Sequence, residues 1–220
     1  AAARDRALVK RAALAVVAAT LGMGAPFSGA PGSVEGTLTS SSTPTAGAVV
    51  YLLPLDGPAD VRPLDSAVID QQSLRFVPRV LTVTPRTPVT FRNSDPIQHN
   101  VFSPPRIGAD FDLGTYRQFE VRTRSFDEPG AYLILCHVHP EMVAYVVAVP
   151  TAWSAGADAA GRFHIADIPP GRYQLHVWQR FLRDPVRTIA IADDRTLRLT
   201  IAVDRSLRPR GRQLDDPEGP

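Results

Sequence analysis

Residues 132–142 read YLILCHVHPEM, and this stretch is the most informative part of the sequence. The stretch begins as an apolar strand and ends in a short loop that carries Cys136, His139 and Met142 at positions i, i+3 and i+6. Cys136 is the only cysteine in the 220 residues, and Met142 is one of two methionines, the other being Met23. A thiolate, an imidazole and a thioether this close together can converge on one small metal ion.

The side-chain chemistry of this loop favours a soft or borderline metal, copper above all, with zinc as an alternative. One Cys thiolate, two His and a weak axial Met form the ligand set of a blue-copper electron-transfer site. The loop supplies three of these four ligands, so a second histidine has to come from elsewhere. The best candidate is His99, in the segment NSDPIQHN at 93–100 that follows a predicted strand. The predicted ligands of one mononuclear copper site are therefore His99, Cys136, His139 and Met142.

Three neighbouring residues are expected to support this site. His137 is adjacent to Cys136, so along an extended chain its side chain should point the opposite way. Asn100 follows His99 and is expected to hydrogen-bond across to the Cys136 loop, as the outer partners of metal ligands do. Pro140 stiffens the loop and lowers the entropy that is lost when the ligands are ordered.

Each proposed ligand also has a plainer interpretation when it is taken singly. The cysteine could be an inert buried thiol, the methionine a core-filling side chain, and the histidine a hydrogen-bonded loop residue. Together they have to explain the single cysteine, the methionine outside the N-terminal segment and the even spacing. The combination therefore favours the metal site.

The charge balance argues against a nucleic-acid-binding protein. The chain holds 24 basic and 22 acidic residues, and residues 1–30 contain four of the basic and one of the acidic side chains. The remaining 20 basic and 21 acidic residues leave a net formal charge of −1. A nucleic-acid-binding domain carries a clear basic excess, which this chain lacks.

Residues 1–30 follow the three-part plan of a secretory signal peptide. A basic start precedes an apolar run at 12–21 and a small-residue cleavage site at 28–30. The run is too short for a comfortable membrane span, and a terminal helix or an uncleaved anchor is the alternative. We expect a periplasmic or other extracytoplasmic protein, with membrane contact only through the leader if it is uncleaved. An exported chain with one cysteine cannot form an internal disulfide.

Short apolar or alternating segments between Pro- and Gly-rich turns predict an all-β chain. Seven or eight such segments lie within residues 66–150, which is the spacing of a β-sandwich. Residues 103–118, with two prolines and two glycines, are expected to be mostly loop.

A second unit of short strands follows residue 150. Asp193 and Asp194 are predicted to form a hairpin turn between its last two strands, and His164 and His176 are expected to face solvent. Residues 205–220 are charged and rich in Pro and Gly, so they are predicted to be a disordered tail.

Several segments of the chain resemble the cupredoxins, the blue-copper family that includes plastocyanin and amicyanin. They are FVP at 76–78, VTFRNSD at 89–95, HNV at 99–101, FDEPGAY at 126–132 and CHVHPEM at 136–142. The resemblance implies a Greek-key β-sandwich over residues 66–150 and a type 1 copper site. It also implies that the exposed edge of His139, ringed by apolar residues, is the electron port. One departure is His137, because Ser or Thr usually follows the cysteine and hydrogen-bonds the Asn after the first histidine.

The flanking segments resemble a different family, the carboxypeptidase regulatory-like (transthyretin-like) β-sandwich. They are VEG at 34–36, AGAVVYL at 46–52, AGRFHI at 160–165 and IPPGRYQL at 168–175. In that family the two halves are consecutive. The resemblance therefore implies that the copper domain is inserted into a second sandwich made of 31–55 and 151–204, with two tandem domains as the alternative.

The sequence as a whole predicts an exported type 1 copper protein that carries one electron at a time. It should not be an enzyme, because protein ligands fill all four coordination positions. The expected partner is a redox protein such as a dehydrogenase, a cytochrome or a respiratory complex, with no nucleic acid and no small-molecule substrate. The alternatives are a copper-binding or delivery protein and a non-redox β-sandwich interaction module.

Overall fold

The computed structural model describes residues 29–41, 44–105, 110–180, 182 and 184–203. Apart from its last two residues, the predicted signal peptide lies outside this part of the chain, and the predicted tail at 205–220 lies wholly outside it. The described residues form strands and loops without a helix, which confirms the all-β prediction. None of the described segments is a helix of the length and apolarity that crossing a membrane requires.

Sixteen strands are formed by the described residues. They are β1 (Gly32–Thr39), β2 (Val49–Pro54), β3 (Ala67–Gln71), β4 (Phe76–Val77), β5 (Val80–Val83), β6 (Pro88–Asn93), β7 (His99–Ser103), β8 (Phe111–Tyr116), β9 (Val121–Ser125), β10 (Gly130–Leu135), β11 (Val143–Ala148), β12 (Ser154–Gly156), β13 (Arg162–Ile168), β14 (Gly171–Trp178), β15 (Arg187–Ile191) and β16 (Thr196–Ala202).

These strands form four sheets. Two sheets, ordered β13-β1-β16 and β12-β2-β14-β15, combine strands from both ends of the described chain, and we call this pair the split sandwich. The other two, ordered β5-β11-β10-β7-β8 and β4-β3-β6-β9, use only β3 to β11, and we call this pair the central sandwich. The candidate site lies in the central sandwich.

Each sandwich has its own apolar core. In the central sandwich, Phe91 of β6 packs in one buried cluster with Ile134 of β10 and Val146 of β11. In the split sandwich, Val34 of β1 shares a second cluster with Leu175 of β14. Side chains alternate between the two faces of a strand, so each sheet turns one apolar face to its partner.

A third apolar cluster joins the two sandwiches. It brings Tyr51 of β2 and Trp178 of β14 against Tyr145 and Val147 of β11. The Tyr145 and Trp178 ring centroids are 5.4 Å apart. The four sheets are therefore stacked in layers, and β2 and β11 are buried on both faces. Burial on both faces explains why these two strands have nearly continuous apolar sequences.

Two expectations about the strands were wrong. In the described part of residues 103–118, more residues are in strands than in loops, because β7 ends at Ser103 and β8 occupies Phe111–Tyr116. Gly114, with a φ of +72°, and a register shift between Asn100 and Phe102 interrupt the regular pattern of this edge pair. An irregular edge strand lacks the alternation by which strands are recognised in sequences.

The predicted hairpin at Asp193 and Asp194 is also wrong. The strands on either side, β15 and β16, belong to different sheets. β16 instead pairs in parallel with β1, with Val34 opposite Leu197 and Leu38 opposite Ile201. This pairing joins residues far apart in the sequence, and local alternation contains no information about it.

Candidate metal centre

Three of the four predicted ligands meet at one end of the central sandwich. His99 is the first residue of β7, Cys136 directly follows β10, and His139 lies three residues further along the same loop. Their ligand atoms all lie within 4.8 Å of one another. His99 and Cys136 are buried, while His139 is half-buried. The cluster is therefore closed on the core side and reaches the surface through one imidazole.

The geometry of the two histidines fits a metal site. Nδ1 of His99 and Nδ1 of His139 face each other at 3.1 Å, and the rings are inclined by 61°. Imidazole nitrogens bind zinc at about 2.0–2.1 Å, so two nitrogens at this separation can bind one ion of that size. A thiolate beside two imidazoles suits copper or zinc. The residues present thus fit the predicted cofactor.

Met142, the fourth predicted ligand, is fully buried and belongs to the same core cluster as Cys136. Its backbone N–H donates to the carbonyl of His139 at 3.0 Å, which closes the ligand loop into a tight turn. Pro140, inside this turn, is exposed. The role of Met142 as an axial ligand stays a prediction.

Asn100 connects β7 to the ligand loop. Its backbone N–H points at Sγ of Cys136, 3.4 Å away, and its side-chain oxygen accepts from the backbone N–H of His137 at 3.4 Å. The structure therefore contains the expected hydrogen bond from Asn100 to the loop. Its partner is a backbone amide, so the bond does not need a hydroxyl side chain at position 137.

The side chain of His137 points away from the cluster. Its ring stacks on Phe102, with centroids 3.6 Å apart and planes 5° apart, and Nε2 lies 3.5 Å from Oδ2 of Asp112. Oδ1 of Asp112 also accepts from Nδ2 of Asn100 at 2.6 Å. Asp112 is a partner of the site that the sequence did not reveal, because nothing in its own segment distinguishes it from other surface aspartates.

A second carboxylate, Asp95, was also missed, and it contacts a predicted ligand directly. Nε2 of His99 lies 2.8 Å from Oδ2 of Asp95. Burial by itself would raise the pKa of Asp95, but hydrogen bonds from the Leu74 amide, from His99 and from the Ser73 amide outweigh burial and lower it. The one available signal was an acidic residue four positions before the ligand histidine, in the same loop.

Of the histidines in the split sandwich, one is placed as expected and one is not. His164 is exposed. The expectation that His176 faces solvent was wrong, because its side chain is only 14% exposed. The ring stacks on Tyr51 at 5.0 Å, and Nδ1 lies 2.6 Å from Oδ2 of Asp184. Sequence alternation alone could not show that this sheet is covered on both faces.

The fold and the site define a class: an all-β protein with a His–Cys–His cluster that can hold one metal ion. No protein-family model matches the chain, and no curated protein matches it. Solved structures do resemble part of it. A purple cupredoxin from Nitrosopumilus maritimus is 24% identical over 38% of this chain and 100% of its own, with a TM-score of 0.35.

Amicyanin resembles a similar part of the chain. A reduced amicyanin variant is 20% identical over 45% of this chain and 99% of its own, with a TM-score of 0.37. An oxidised variant is 22% identical over 47% of this chain and 99% of its own, also with a TM-score of 0.37. These likenesses cover less than half of the chain.

Proposed function

We propose that this protein is a type 1 copper protein that carries one electron at a time between redox partners. The observation that carries the proposal is the convergence of one thiolate and two imidazoles, from Cys136, His99 and His139, within 4.8 Å. This donor set is that of a blue-copper centre, and Met142 would be its weak fourth ligand. When bound, copper would supply the one-electron Cu(II)/Cu(I) couple.

The protein residues hold the site in one arrangement. His99 is fixed by Asp95, and the Cys136 thiol is approached by the Asn100 amide. Few groups have to move when the charge of such a site changes, which suits electron transfer. With four protein ligands no position would remain for a substrate, so we propose a carrier without enzymatic activity of its own.

The electron would enter and leave at His139, the one half-exposed member of the cluster. Exposed apolar side chains occur on both loops of the site: Ile97 is 43% exposed and Val138 is 49% exposed. An apolar surface around a single port suits a brief encounter with another redox protein through a small interface. A dehydrogenase, a cytochrome or a respiratory complex would be such a partner.

We extend the proposal to domain organisation and location. The central sandwich would be a Greek-key cupredoxin domain inserted into a regulatory-like sandwich, and this is supported by the pairing of β1 and β2 with β12 to β16 only. An extracytoplasmic location is supported by the signal-like pattern of residues 1–30.

A visible absorption spectrum after addition of Cu(II) tests the proposed function. The wild-type protein should develop an intense blue band that Cys136→Ser abolishes, and the bound ion should be reduced and reoxidised reversibly. Tight binding of Cu(I) with ready exchange and no blue form would favour copper delivery. A protein that binds no copper, and whose folding and partner binding are unaffected by Cys136→Ser, would be an interaction module.

A further inference from the structure

Asp95 is surrounded by hydrogen-bond donors from two parts of the chain. The residue is 7% exposed. Oδ1 accepts from the Ser73 N–H at 2.6 Å, and Oδ2 accepts from the Leu74 N–H at 2.9 Å. Oδ2 also lies 2.8 Å from Nε2 of His99. One carboxylate therefore contacts both the turn between β3 and β4 and the first predicted ligand.

The turn fixes the position of this carboxylate independently of any metal. Gln72 and Arg75 exchange two backbone hydrogen bonds, of 2.9 and 3.2 Å, around Ser73 and Leu74. These two central residues have φ values of +54° and +59°, a conformation that Asn and Gly usually supply in such hairpins. A left-handed conformation is unfavourable for a residue other than glycine. Hydrogen bonds from both turn amides to one carboxylate offset part of that cost.

The same carboxylate decides where the hydrogen of the His99 ring resides. An ionised carboxylate can only accept hydrogen bonds, so Nε2 of His99 must be the protonated nitrogen. In the neutral ring, Nδ1 then carries the lone pair, and this atom faces Nδ1 of His139 at 3.1 Å. We propose that Asp95 is a positioning residue for the metal centre, which holds His99 in the tautomer that can bind the metal through Nδ1 and ties the ring to the β3–β4 turn.

The charge of Asp95 has a further consequence, which rests on the proposed function. A carboxylate that accepts from a ligand histidine makes the imidazole more basic. A more basic ligand stabilises Cu(II) more than Cu(I), so Asp95 lowers the reduction potential of the site. Each tenfold change in the ratio of the two affinities corresponds to 59 mV for a one-electron couple.

The test compares Asp95→Asn with the wild-type protein and with a matched control. An amide has one acceptor and one donor group, so it cannot accept at both carboxylate positions of Asp95. When its NH2 group faces Nε2 of His99, that ring nitrogen has to be the unprotonated one. The control is Asp70→Asn, because the Asp70 carboxylate of β3 accepts from Arg92 and Ser94 instead of from a residue of the cluster. Nitrogen-15 NMR of the metal-free proteins reports the His99 tautomer, and competition titrations give the Cu(II) and Cu(I) affinities.

We expect His99 to be the Nε2–H tautomer in both the wild type and Asp70→Asn. The Cu(II) affinities of these two proteins should agree within about twofold, and so should their Cu(I) affinities. Asp95→Asn should populate the Nδ1–H form and lose about 10- to 100-fold in Cu(II) affinity, with a smaller loss for Cu(I) and a higher potential. The proposal is overturned if the wild-type ring carries its hydrogen on Nδ1, or if Asp95→Asn keeps both the tautomer and the affinities. If Asp95→Asn does not fold, the wild-type tautomer alone decides. A wild type with the Nε2–H ring that binds no copper would remove the proposed function but not the positioning role.

Discussion

At the scale of single residues, Asn100 holds the thiol and the ligand loop with different atoms. Its backbone amide faces Cys136, while its side-chain oxygen accepts from His137. The other end of the side chain donates to Asp112 at 2.6 Å. Because a carboxylate only accepts, Asp112 determines which way the Asn100 amide points.

Asp112→Ala should therefore loosen the ligand loop without removing a ligand. We expect a loss of about 1 kcal/mol in the free energy of unfolding, and a shift of the visible band of the copper-loaded protein. Urea denaturation and absorption spectroscopy measure the two effects. Asp110→Ala, an exposed residue of the same segment, is the control and should change neither. An unchanged band in Asp112→Ala would show that Asn100 keeps its orientation without this carboxylate.

Some residues of the site could be predicted from the sequence, and others could not. Cys136 and His139 stand out because they are close together, and one is the only residue of its type. The carboxylates Asp95 and Asp112 could not be identified in this way, because the chain has 22 acidic residues and most carboxylates are solvated. Only the folded contacts separate these two from the rest.

At the scale of secondary-structure elements, an ion pair joins the parallel strands β3 and β6. Asp70 and Arg92 are register partners, and Oδ2 of Asp70 accepts from Arg92 at 2.7 Å and from Ser94 at 2.8 Å. Burial by itself would raise the pKa of Asp70, but the hydrogen bonds and charge of Arg92 and the Ser94 hydroxyl lower it.

This lowered pKa predicts a pH-dependent contribution to stability. The contribution is present above the usual pKa of an aspartate and is lost as the pH falls through the lower pKa of the folded protein. Asp70→Asn should cost about 1 kcal/mol at neutral pH, since Arg92 is half-exposed, and less in acid. Urea unfolding at pH 7 and pH 3 measures both differences. If Asp70→Asn lowered the free energy of unfolding equally at pH 7 and pH 3, the result would contradict stabilisation by the Asp70 carboxylate.

Gly161 illustrates a turn that requires glycine. It starts the connection into β13 with a φ of +77°, and a Cβ there would lie against the Leu38 carbonyl and the Thr45 hydroxyl. Gly161→Ala should therefore lower the free energy of unfolding by more than about 1 kcal/mol, because alanine is strained at this φ and its Cβ has no space. Gly156→Ala is the matched control, since a Cβ there would meet nothing within 4 Å. Equal unfolding free energies for the two variants would contradict this account.

Strands that pair with their neighbours in the sequence could be predicted more readily than strands whose partners are distant in the sequence. β10 and β11 are adjacent in sequence, flank the ligand loop and have clear apolar runs, so they could be predicted. β8 was missed because its pattern is broken at Gly114. The parallel partnership of β16 with β1 was missed because it links positions 163 residues apart, such as Val34 and Leu197. Sequence patterns reveal strands better than they reveal their partners.

At the scale of the whole molecule, the cluster that contains Trp178, Tyr145 and Val147 joins the two sandwiches. Trp178→Ala should open a cavity in it and cost about 3–5 kcal/mol. Because this cluster couples the two sandwiches, we also expect them to unfold separately in the variant. On heating, the blue band and the far-UV circular dichroism signal of this variant should be lost at different temperatures.

The control for this experiment is Phe119→Ala, which removes an aromatic ring that is 76% exposed. In this control and in the wild type the two signals should decline together. Coincident transitions in Trp178→Ala, at any temperature, would show that the two sandwiches do not need this cluster in order to unfold as one unit.

The shared interior of the two sandwiches has a kinetic consequence for the proposed carrier. The central sandwich is packed against the split sandwich and connected to it by both β2–β3 and β11–β12, so it is not a domain that swings on one tether. Donor and acceptor would then have to visit the single exposed edge of His139 in turn. They would compete for it, and a large excess of either protein should slow turnover of the other.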